Sequence, residues 1–389
     1  MFFVDEPYIS DILKRTLRDN AIPVVATQVA KKLGLLPGTN WISEARAVEL
    51  AREPGDPRIY IASENSIGWI ARHLAFSDLP EKIELFKNKA KFRELTRPLY
   101  PDFFYKEVGV EDLKDIRVED LPLPFIIKPT AGFFSMGVHK VTDHADWPNT
   151  LAAILAEIEQ IKGLYPHEVL NINSFIIEEC IEGEEFALDA YLNSAGEPVI
   201  LSIYRHTFSS ASDVGDRVYT TSKAIVEHNL QEFTNFVGEM GRLTGIRNFP
   251  LHIELRRADD SSLLPIEVNP MRFGGWCSTA DLTSLAYGYN PYLYYYTGQK
   301  PDWTQLLAGK DGKLFSMIVL DNSTGIPVEQ ITSFDYAKLL TKFEKPLDLR
   351  QIDYKKYHVF GFLFAETRAD NLEELEDILK SDLREFIST

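Results

Sequence analysis

The chain has 389 residues, of which 45% are hydrophobic and 25% are charged, as in ordinary globular proteins. This length is too great for a single hydrophobic core and predicts about two to four packed subdomains. The net charge of −17 disfavours DNA, RNA and anionic membranes as partners, because binding to them depends on clustered lysine and arginine.

The chain carries two cysteines, Cys180 and Cys277, and no Cys-X-X-Cys pair. We therefore expect free thiols rather than a disulfide framework or a structural zinc site. Residues 1–12 lack the basic and apolar regions of a signal peptide. No apolar run approaches the ~20 residues that span a bilayer. These features predict a cytoplasmic protein without a membrane partner.

The first part of the chain alternates short apolar strands with helices, which favours a parallel sheet. The predicted strand at 58–62 ends in a polar turn at 63–66. Glu64, Asn65 and Ser66 in this turn are candidates for a substrate cleft, because ligands bind at the carboxyl ends of such strands. A helix is predicted from Ile83 to Leu95, and a proline-rich connection follows it.

The middle of the chain is predicted to be a series of strands with two helices inserted. The strands are predicted at 125–128, 174–178, 186–192, 199–204, 251–255 and 264–268, and the helices at 151–161 and near 230–243. The tail from Lys313 mixes strands, such as 360–364, with a final helix from Leu372 to Phe386 that Asn371 caps. We expect this tail to be a small α+β subdomain.

A lysine and a glycine-containing loop follow the predicted strand at 125–128. Lys128 ends the strand, and the loop from Gly132 to Gly137 includes Ser135 and Met136. Glycines let backbone N–H groups approach phosphate oxygens, and the lysine adds a positive charge. The loop matches neither a Walker A sequence nor a dinucleotide-binding fingerprint. A plain tight turn between strands is the alternative.

The connection between the next two strands, from Glu178 to Glu185, is rich in carboxylates. A hinge of this kind offers backbone groups to an adenine edge and a carboxylate to ribose hydroxyls. The alternative is a solvated acidic turn.

Three oxygen-bearing side chains lie on the predicted strands at 251–255 and 264–268. Glu254 lies on the first strand, while Glu267 and Asn269 lie two residues apart on the second and therefore share a face. Two carboxylates and an amide oxygen suit Mg²⁺, which also takes phosphate oxygens and water. Arg272 follows directly and is predicted to be catalytic, because it can clamp a carboxylate or a developing phosphate charge. Structural ion pairing is the alternative.

The loop from Tyr204 to Lys223 contains Arg205, His206, Arg217 and Lys223. These cations are candidates for binding substrate or stabilising phosphate, and Arg205 is the one that we predict to be catalytic. Exposed surface charge is the alternative for each of them.

In this order, the segments FIIKPTAGFFSMGV, FIIEECIEGEEFALD and LHIEL...LPIEVNPMRFGG resemble the ATP-grasp superfamily over residues 58–300. The resemblance implies that Lys128 contacts the phosphates and the adenine side of ATP, and that Gly132, Ser135, Met136 and Gly137 belong to the phosphate loop. It implies that Glu178, Glu179 and Ile181 line the adenine hinge and that Glu185 binds the ribose.

The same resemblance implies that Glu254, Glu267 and Asn269 hold two Mg²⁺ ions, for which Mn²⁺ can substitute. Lys89 is similar to an earlier phosphate lysine of the family, with Lys87 as its rival. The sequence departs from the family pattern at Met271, which separates Asn-Pro from the arginine, so the role of Arg272 stays open.

The fold that the resemblance implies is an α/β (α+β) ATP-grasp fold of four parts. These parts are an N-terminal Rossmann-like subdomain at 1–85, a lid at 86–182, a central subdomain with the metal site at 183–305 and a C-terminal α+β subdomain at 306–389.

The implied activity is that of an ATP-dependent carboxylate-amine or carboxylate-thiol ligase that works through an acyl phosphate and releases ADP and phosphate. The expected partners are a small carboxylate, such as an amino acid, and an amine or other nucleophile. No nucleic acid is expected, and a homodimer is compatible with the resemblance. A catalytically silent ATP-binding protein and a small-molecule kinase on the same fold are the alternatives.

Overall fold

A computed structural model of the chain describes residues 1–55, 57–132, 137–161, 171–209 and 215–389. The chain mixes helices with sheets, so the predicted fold class is confirmed. In the residues that the structure describes, no helix is both long enough and apolar enough to cross a membrane. The four subdomain boundaries stay a prediction, and the elements below are given by their own limits.

A parallel sheet opens the chain, with strand order β3-β2-β1-β4. The order reverses between β1 and β4, so a crevice forms outside the carboxyl ends of these two strands. Glu64 lies three residues after the end of β4, in the turn that follows the carboxyl end of this strand. The elements are β1 (Phe2–Phe3), α1 (Asp11–Asp19), β2 (Val24–Val25), β3 (Trp41–Ile42), α2 (Glu44–Arg52), β4 (Tyr60–Ile61) and α3 (Ile67–His73).

The helix predicted from Ile83 to Leu95 is two helices, α4 (Leu79–Lys87) and α5 (Lys89–Thr96). Asn88 separates them with extended backbone angles, φ −87° and ψ 110°. Its side chain accepts hydrogen bonds from the backbone amides of Ala90 and Lys91, at 3.0 and 3.1 Å. Capping by Asn88 therefore starts a new helix where the apolar pattern predicted a continuous one.

The next part is an antiparallel sheet with strand order β5-β8-β6-β7. One helix packs its buried side chains Trp147 and Ile154 with Phe125 and Phe175 of the sheet in a separate core. The elements are β5 (Tyr105–Gly109), β6 (Phe125–Ala131), β7 (His139–Val141), α6 (Trp147–Ile161) and β8 (Asn171–Glu179).

A long antiparallel sheet forms the centre of the molecule, with strand order β13-β12-β9-β10-β11-β14-β17-β16. Strands β14, β17 and β16 come from the predicted C-terminal appendage, yet they extend the central sheet. The elements are β9 (Glu184–Leu192), β10 (Pro198–Thr207), β11 (Val218–Ser222), α7 (Lys223–Thr244), β12 (Phe249–Arg257), β13 (Leu263–Pro270), α8 (Ser278–Tyr287), α9 (Pro291–Thr297), α10 (Trp303–Leu306), β14 (Lys313–Asp321), β15 (Ser333–Phe334), α11 (Tyr336–Leu340), β16 (Pro346–Gln351), α12 (Tyr354–Tyr357), β17 (Val359–Arg368), α13 (Glu373–Lys380) and β18 (Ile387–Ser388).

The final helix, α13, ends at Lys380 and not at Phe386 as predicted. Arg217 donates hydrogen bonds to the carbonyls of Ile378 and Ser381, at 3.3 and 2.6 Å, and so satisfies the end of this helix. The chain then returns as β18, which pairs with β15. Arg217, a candidate for phosphate or substrate, is therefore engaged in holding the C-terminal segment.

The break at Asn88 generates a first prediction. Replacing Asn88 with Ala should lower the free energy of unfolding by about 1 kcal/mol, because an N-cap side chain is lost. It should also lower turnover, since the break positions Lys87 and Lys89 in the cluster described below. Urea unfolding and steady-state rates would measure the two effects.

Ser43→Ala is the matched control, because Ser43 caps α2 in the same way and lies outside that cluster. It should cost similar stability and leave turnover unchanged. Equal turnover in both variants would contradict a positioning role for the break.

Candidate functional site

The strand register brings the three predicted metal ligands together on one face of the central sheet. Glu254 of β12 lies directly opposite Glu267 of β13, and Asn269 lies opposite His252. On the other side of β12, His252 lies opposite Asp189 of β9. Side chains two residues apart share a face, so all five point to the same side of the sheet.

The two facing carboxylates have opposite pKa shifts. Lys89 Nζ lies 3.0 Å from Glu267 Oε2, and Asn269 Nδ2 donates a hydrogen bond of 3.0 Å to Glu267 Oε1. Burial raises the pKa of Glu267, but Lys89 and this hydrogen bond outweigh burial and lower it. Burial and the nearby charge of Glu267 raise the pKa of Glu254.

These donors fit Mg²⁺. Both carboxylates keep about a fifth of their side-chain surface exposed, 23% for Glu254 and 20% for Glu267, which leaves room for further ligands. Their mutual repulsion is the kind that a divalent cation removes. The set of two carboxylates and the amide of Asn269 is smaller than a complete protein metal site. Among the described residues, no group of three or more His, Cys, Asp or Glu is placed to hold a metal ion. Mg²⁺ here would therefore take phosphate oxygens and water as well.

The two rival lysines both reach the cluster, with different partners. Lys89 pairs with Glu267, as described above. Lys87 Nζ pairs with the carboxylate of Glu64 and donates a hydrogen bond of 3.3 Å to the carbonyl of Gly132, at the start of the glycine loop. Burial lowers the pKa of Lys87, and Glu64 only partly offsets this effect.

Glu64 also binds Arg272 and so connects the N-terminal sheet with the turn after β13. Arg272 donates from Nε and Nη2 to the same oxygen of Glu64, at 3.0 and 2.7 Å. Burial raises the pKa of Glu64, but Lys87 and Arg272 outweigh burial and lower it to about 2. Met271, which departs from the family pattern, has φ +67° and hydrogen bonds to Pro250 and Ile61. Arg272 thus lies next to Glu64 although Met271 precedes it.

A second buried ion cluster joins Lys128 to Glu178. Lys128 Nζ lies 2.5 Å from Glu178 Oε1, and Arg93 Nε lies 2.7 Å from Glu178 Oε2. Arg93 also donates to the carbonyl of Pro265 at 2.6 Å, which ties α5 to β13. Burial raises the pKa of Glu178, but Arg93 and Lys128 outweigh burial and lower it to about 2. Sequence reasoning missed Arg93, although its spacing of four residues from Lys89 was a signal.

The predicted ribose carboxylate, Glu185, is held by a histidine and an arginine that sequence reasoning did not assign to it. His206 Nδ1 lies 2.8 Å from Glu185 Oε1, and Arg256 Nε donates to Glu185 Oε2 at 2.8 Å. Arg256 also bonds to the carbonyl of Ile181 in the predicted adenine hinge. Burial raises the pKa of Glu185, but His206 and Arg256 outweigh burial and lower it. The hinge and the ribose residue are therefore fixed by one arginine.

The hinge itself is a tight turn between β8 and β9. Gly183 has φ +116°, and a Cβ at this position would lie 2.0 Å from the carbonyl oxygen of Arg257. Ile181 is buried, and Glu179 is partly exposed with its amide bonded to the carbonyl of Phe104 at 3.1 Å. The turn therefore requires glycine where the sequence has it.

Asp216 is a further carboxylate near the facing pair that sequence reasoning missed. Tyr219 donates a hydrogen bond of 2.8 Å to it and stacks on His206 at 4.2 Å between ring centroids. Burial raises the pKa of Asp216, and the charges of Glu185 and Glu267 add to this effect.

Arg205, predicted to be catalytic, is not brought to this cluster. It pairs across the strands with Phe186 and Thr220, whereas His206 shares the face of Glu185. Its closest acidic partner is Glu184, at 3.9 Å, and the arginine is 43% exposed. Its odd position along β10 turns it to the opposite face of the sheet, so we leave it out of the site.

The loop predicted to bind phosphate is described only at its ends. Gly132 receives the hydrogen bond from Lys87, and Gly137 has φ +69°. Ser135 and Met136, predicted to belong to this loop, lie outside the described residues.

Comparisons with known proteins identify a domain that carries part of this site, since Glu64, Lys87 and Lys89 lie before the matched segment. Residues 121–280 match the family model for the ATP-grasp domain. No curated protein sequence matches the chain. The resemblance predicted from the three motifs is thereby confirmed.

Three solved structures are similar over nearly the whole chain. The L-amino acid ligase from Bacillus licheniformis has a TM-score of 0.68 at 18% identity, covering 100% of this chain and 97% of that chain. N5-carboxyaminoimidazole ribonucleotide synthetase from Thermotoga maritima has 0.62 at 14%, covering 100% and 98%. The biotin carboxylase domain of Hydrogenobacter thermophilus 2-oxoglutarate carboxylase, in complex with MgADP, has 0.58 at 13%, covering 94% and 86%. These likenesses establish the ATP-grasp fold.

The buried carboxylates generate a prediction on acid stability. Glu64 and Glu178 have an ordinary pKa of 4.5 and a folded pKa of about 2. A depressed folded pKa stabilises the native state fully above the ordinary value, and this contribution is lost as the pH falls from 4.5 towards 2. We expect the urea midpoint to fall through this window. Glu178→Gln lacks one of these two titrating carboxylates. Its urea midpoint should therefore fall less between pH 4.5 and 2 than that of the wild type.

Glu239→Gln serves as the control, because Glu239 lies on the surface of α7 and pairs with exposed Arg242. Its midpoint should follow the wild-type curve. A Glu178→Gln curve parallel to that of the wild type would show that this carboxylate does not carry the acid sensitivity.

Proposed function

We propose that this chain, which has the ATP-grasp fold, is an ATP-dependent ligase that activates a small carboxylate and joins it to an amine. The observation that carries the proposal is the facing pair Glu254 and Glu267, with Asn269 beside it and Lys89 bound to it. Facing carboxylates next to buried cations are suited to a phosphorylated substrate accompanied by a metal ion.

The nucleotide is proposed to lie between the antiparallel sheet of β5 to β8 and the central sheet. The hinge at Glu178 to Ile181 connects these two sheets, and Glu185 is the second residue of β9 in the central sheet. Glu185, fixed by Arg256 and His206, would accept hydrogen bonds from ribose hydroxyls. Lys128 would face the phosphates while Glu178 holds its ammonium in place.

The proposed Mg²⁺ ligands are Glu254, Glu267 and Asn269. Bound there, Mg²⁺ supplies positive charge to the phosphate oxygens as charge develops on them. Lys89 offsets the charge of Glu267 and lies at the start of α5, close to where the phosphates are proposed to bind. The number of ions and the use of Mn²⁺ stay part of the proposal.

The proposed reaction has two steps. A carboxylate oxygen of the substrate attacks the γ-phosphorus of ATP, the bond to the β-phosphate oxygen breaks, and ADP leaves. The amine then attacks the carbonyl carbon of the acyl phosphate, loses a proton and expels phosphate. Arg272 and Lys87, held by Glu64, would stabilise the anionic groups in both steps.

The proposal favours an amino acid as the carboxylate, supported by the similarity to an L-amino acid ligase. A thiol in place of the amine is the second form of the same chemistry. The silent ATP-binding alternative is disfavoured, because loss of metal ligands would be its simplest signature and both carboxylates are present.

We further propose a cytoplasmic location, where ATP is available and the free thiols Cys180 and Cys277 stay reduced.

The products of turnover test the proposal directly. A panel of amino acids and small acids, offered singly and in pairs with Mg-ATP, should release ADP and phosphate in equal amounts. The mass of the ligated product should equal the summed masses of the carboxylate and the amine less one water. Coupled assays for ADP and phosphate, with mass spectrometry, measure both.

The other outcomes are distinct. A stable phosphorylated product without free phosphate would identify a kinase. AMP and pyrophosphate would contradict the acyl-phosphate mechanism. Nucleotide binding without turnover on the whole panel would favour the silent alternative.

The carboxylate Glu267 provides a test of the metal site. Glu267→Gln should lower kcat by at least ~10²–10³, the typical loss for one electrostatic contact in a transition state. The amide still accepts a hydrogen bond from Lys89, so the protein should fold with a moderately lower melting temperature. Its thermal stabilisation by Mg-ATP should also shrink.

The exposed Glu239→Gln is again the matched control and should keep full activity, because it removes the same charge far from the cluster. Near wild-type turnover of Glu267→Gln would remove the main argument for a ligase.

A further inference from the structure

A histidine and an aspartate lie directly behind Glu254. His252 Nδ1 lies 2.8 Å from Asp189 Oδ1, and His252 Nε2 lies 3.5 Å from Glu254 Oε1. The imidazole therefore bridges two carboxylates, one on β9 and one on its own strand β12. His252 is 6% exposed and Asp189 is fully buried.

The same oxygen of Asp189 also holds the turn that follows Arg272. The amide of Gly274 donates to Asp189 Oδ1 at 3.0 Å and to Thr279 Oγ1 at 2.9 Å. A Cβ on Gly274 would lie 2.4 Å from the side chain of Thr279, so this approach requires glycine. One carboxylate oxygen thus connects the strand of Glu254 with the turn of Arg272.

Packing alone does not account for this pair. Neighbouring positions of β9 and β12 are apolar, and well-packed apolar residues often replace a buried ion pair without loss of stability. Asp189 Oδ2 is buried and has no hydrogen-bond partner within the part of the chain that the structure describes. Leaving such an oxygen unpaired costs stability, which indicates that the carboxylate is kept for its contacts with His252 and Gly274.

We propose that His252 and Asp189 are positioning residues of the magnesium site. Asp189 fixes the ring of His252, and His252 holds the carboxylate of Glu254 in the orientation that ligates Mg²⁺. Outer contacts of this kind fix metal ligands, and their loss typically lowers metal affinity or activity 10–100-fold. The inference rests on the proposed function, because it assigns residues to the same metal site.

The experiment measures Mg²⁺ binding without turnover. The melting temperature of the wild type and of His252→Gln, Asp189→Asn and Glu267→Gln is followed with saturating ADP, first with a chelator and then with increasing Mg²⁺. In His252→Gln the Mg²⁺ concentration for half of the metal-dependent shift should rise about 10–100-fold. The shift by ADP in chelator should be unchanged. Asp189→Asn should raise the Mg²⁺ requirement in the same direction.

Tyr287→Phe is the matched control, since it removes a buried hydrogen bond of 2.7 Å to Thr221 outside this cluster. Its Mg²⁺ requirement should equal that of the wild type, whatever stability it loses. A merely structural role of His252 would likewise lower the melting temperature and leave the Mg²⁺ requirement unchanged.

The result for Glu267→Gln separates the two proposals. If it loses the metal-dependent shift while folded His252→Gln keeps the wild-type requirement, the positioning inference is overturned and the proposed function stands. If Glu267→Gln also keeps the wild-type requirement, the metal site itself is wrong and both fall. Loss of the native circular dichroism spectrum in both His252→Gln and Asp189→Asn would assign them to folding and overturn the inference.

Discussion

The site depends on pairing between buried charges that come from distant parts of the chain. Glu64, Glu178 and Glu267 are ionised in surroundings that disfavour charge, and each stays so because a cation from another element lies within contact. An unpaired buried charge is strongly destabilising, whereas a paired one is roughly neutral. The N-terminal sheet, the two helices α4 and α5, and both antiparallel sheets must therefore meet for all three of these carboxylates to be buried and paired. The ion pairs of the site thus form only when these parts of the chain are packed together.

The break at Asn88 lets one short segment serve two of these pairs. In a continuous helix, positions 87 and 89 would point about 200° apart, so only one lysine could face the cluster. With the extended residue between them, Lys87 reaches Glu64 and Lys89 reaches Glu267. The new helix then carries Arg93 one turn further to Glu178. Lys87 and Lys89 are therefore not exclusive alternatives, since each lysine reaches the cluster and pairs with a different carboxylate.

Sequence patterns predicted which residues share a face of one strand, because side chains alternate along a strand. They did not predict contacts between residues that are far apart in the chain. Glu267 and Asn269 could be placed on one face because strand side chains alternate. Arg205 was assigned to the site although the same alternation, counted from Glu185 through the strand register, selects His206. Pairs such as Glu64 with Arg272 join residues 208 positions apart, and no local pattern contains them. The C-terminal strands join the central sheet for the same reason, because strand order is set by tertiary packing.

The pairing also explains why a chain with net charge −17 can bind a polyanion in the proposed way. Within the cluster, Lys87, Lys89 and Lys128 lie beside carboxylates, so the acidic surface does not determine the local field. Coulomb interactions between groups a few ångströms apart at low dielectric exceed those from distant, screened surface charges. Lys89 now offsets the negative charge of Glu267. A metal ion bound to Glu267 would offset this charge instead. The ammonium at the start of α5 would then be available to phosphate oxygens.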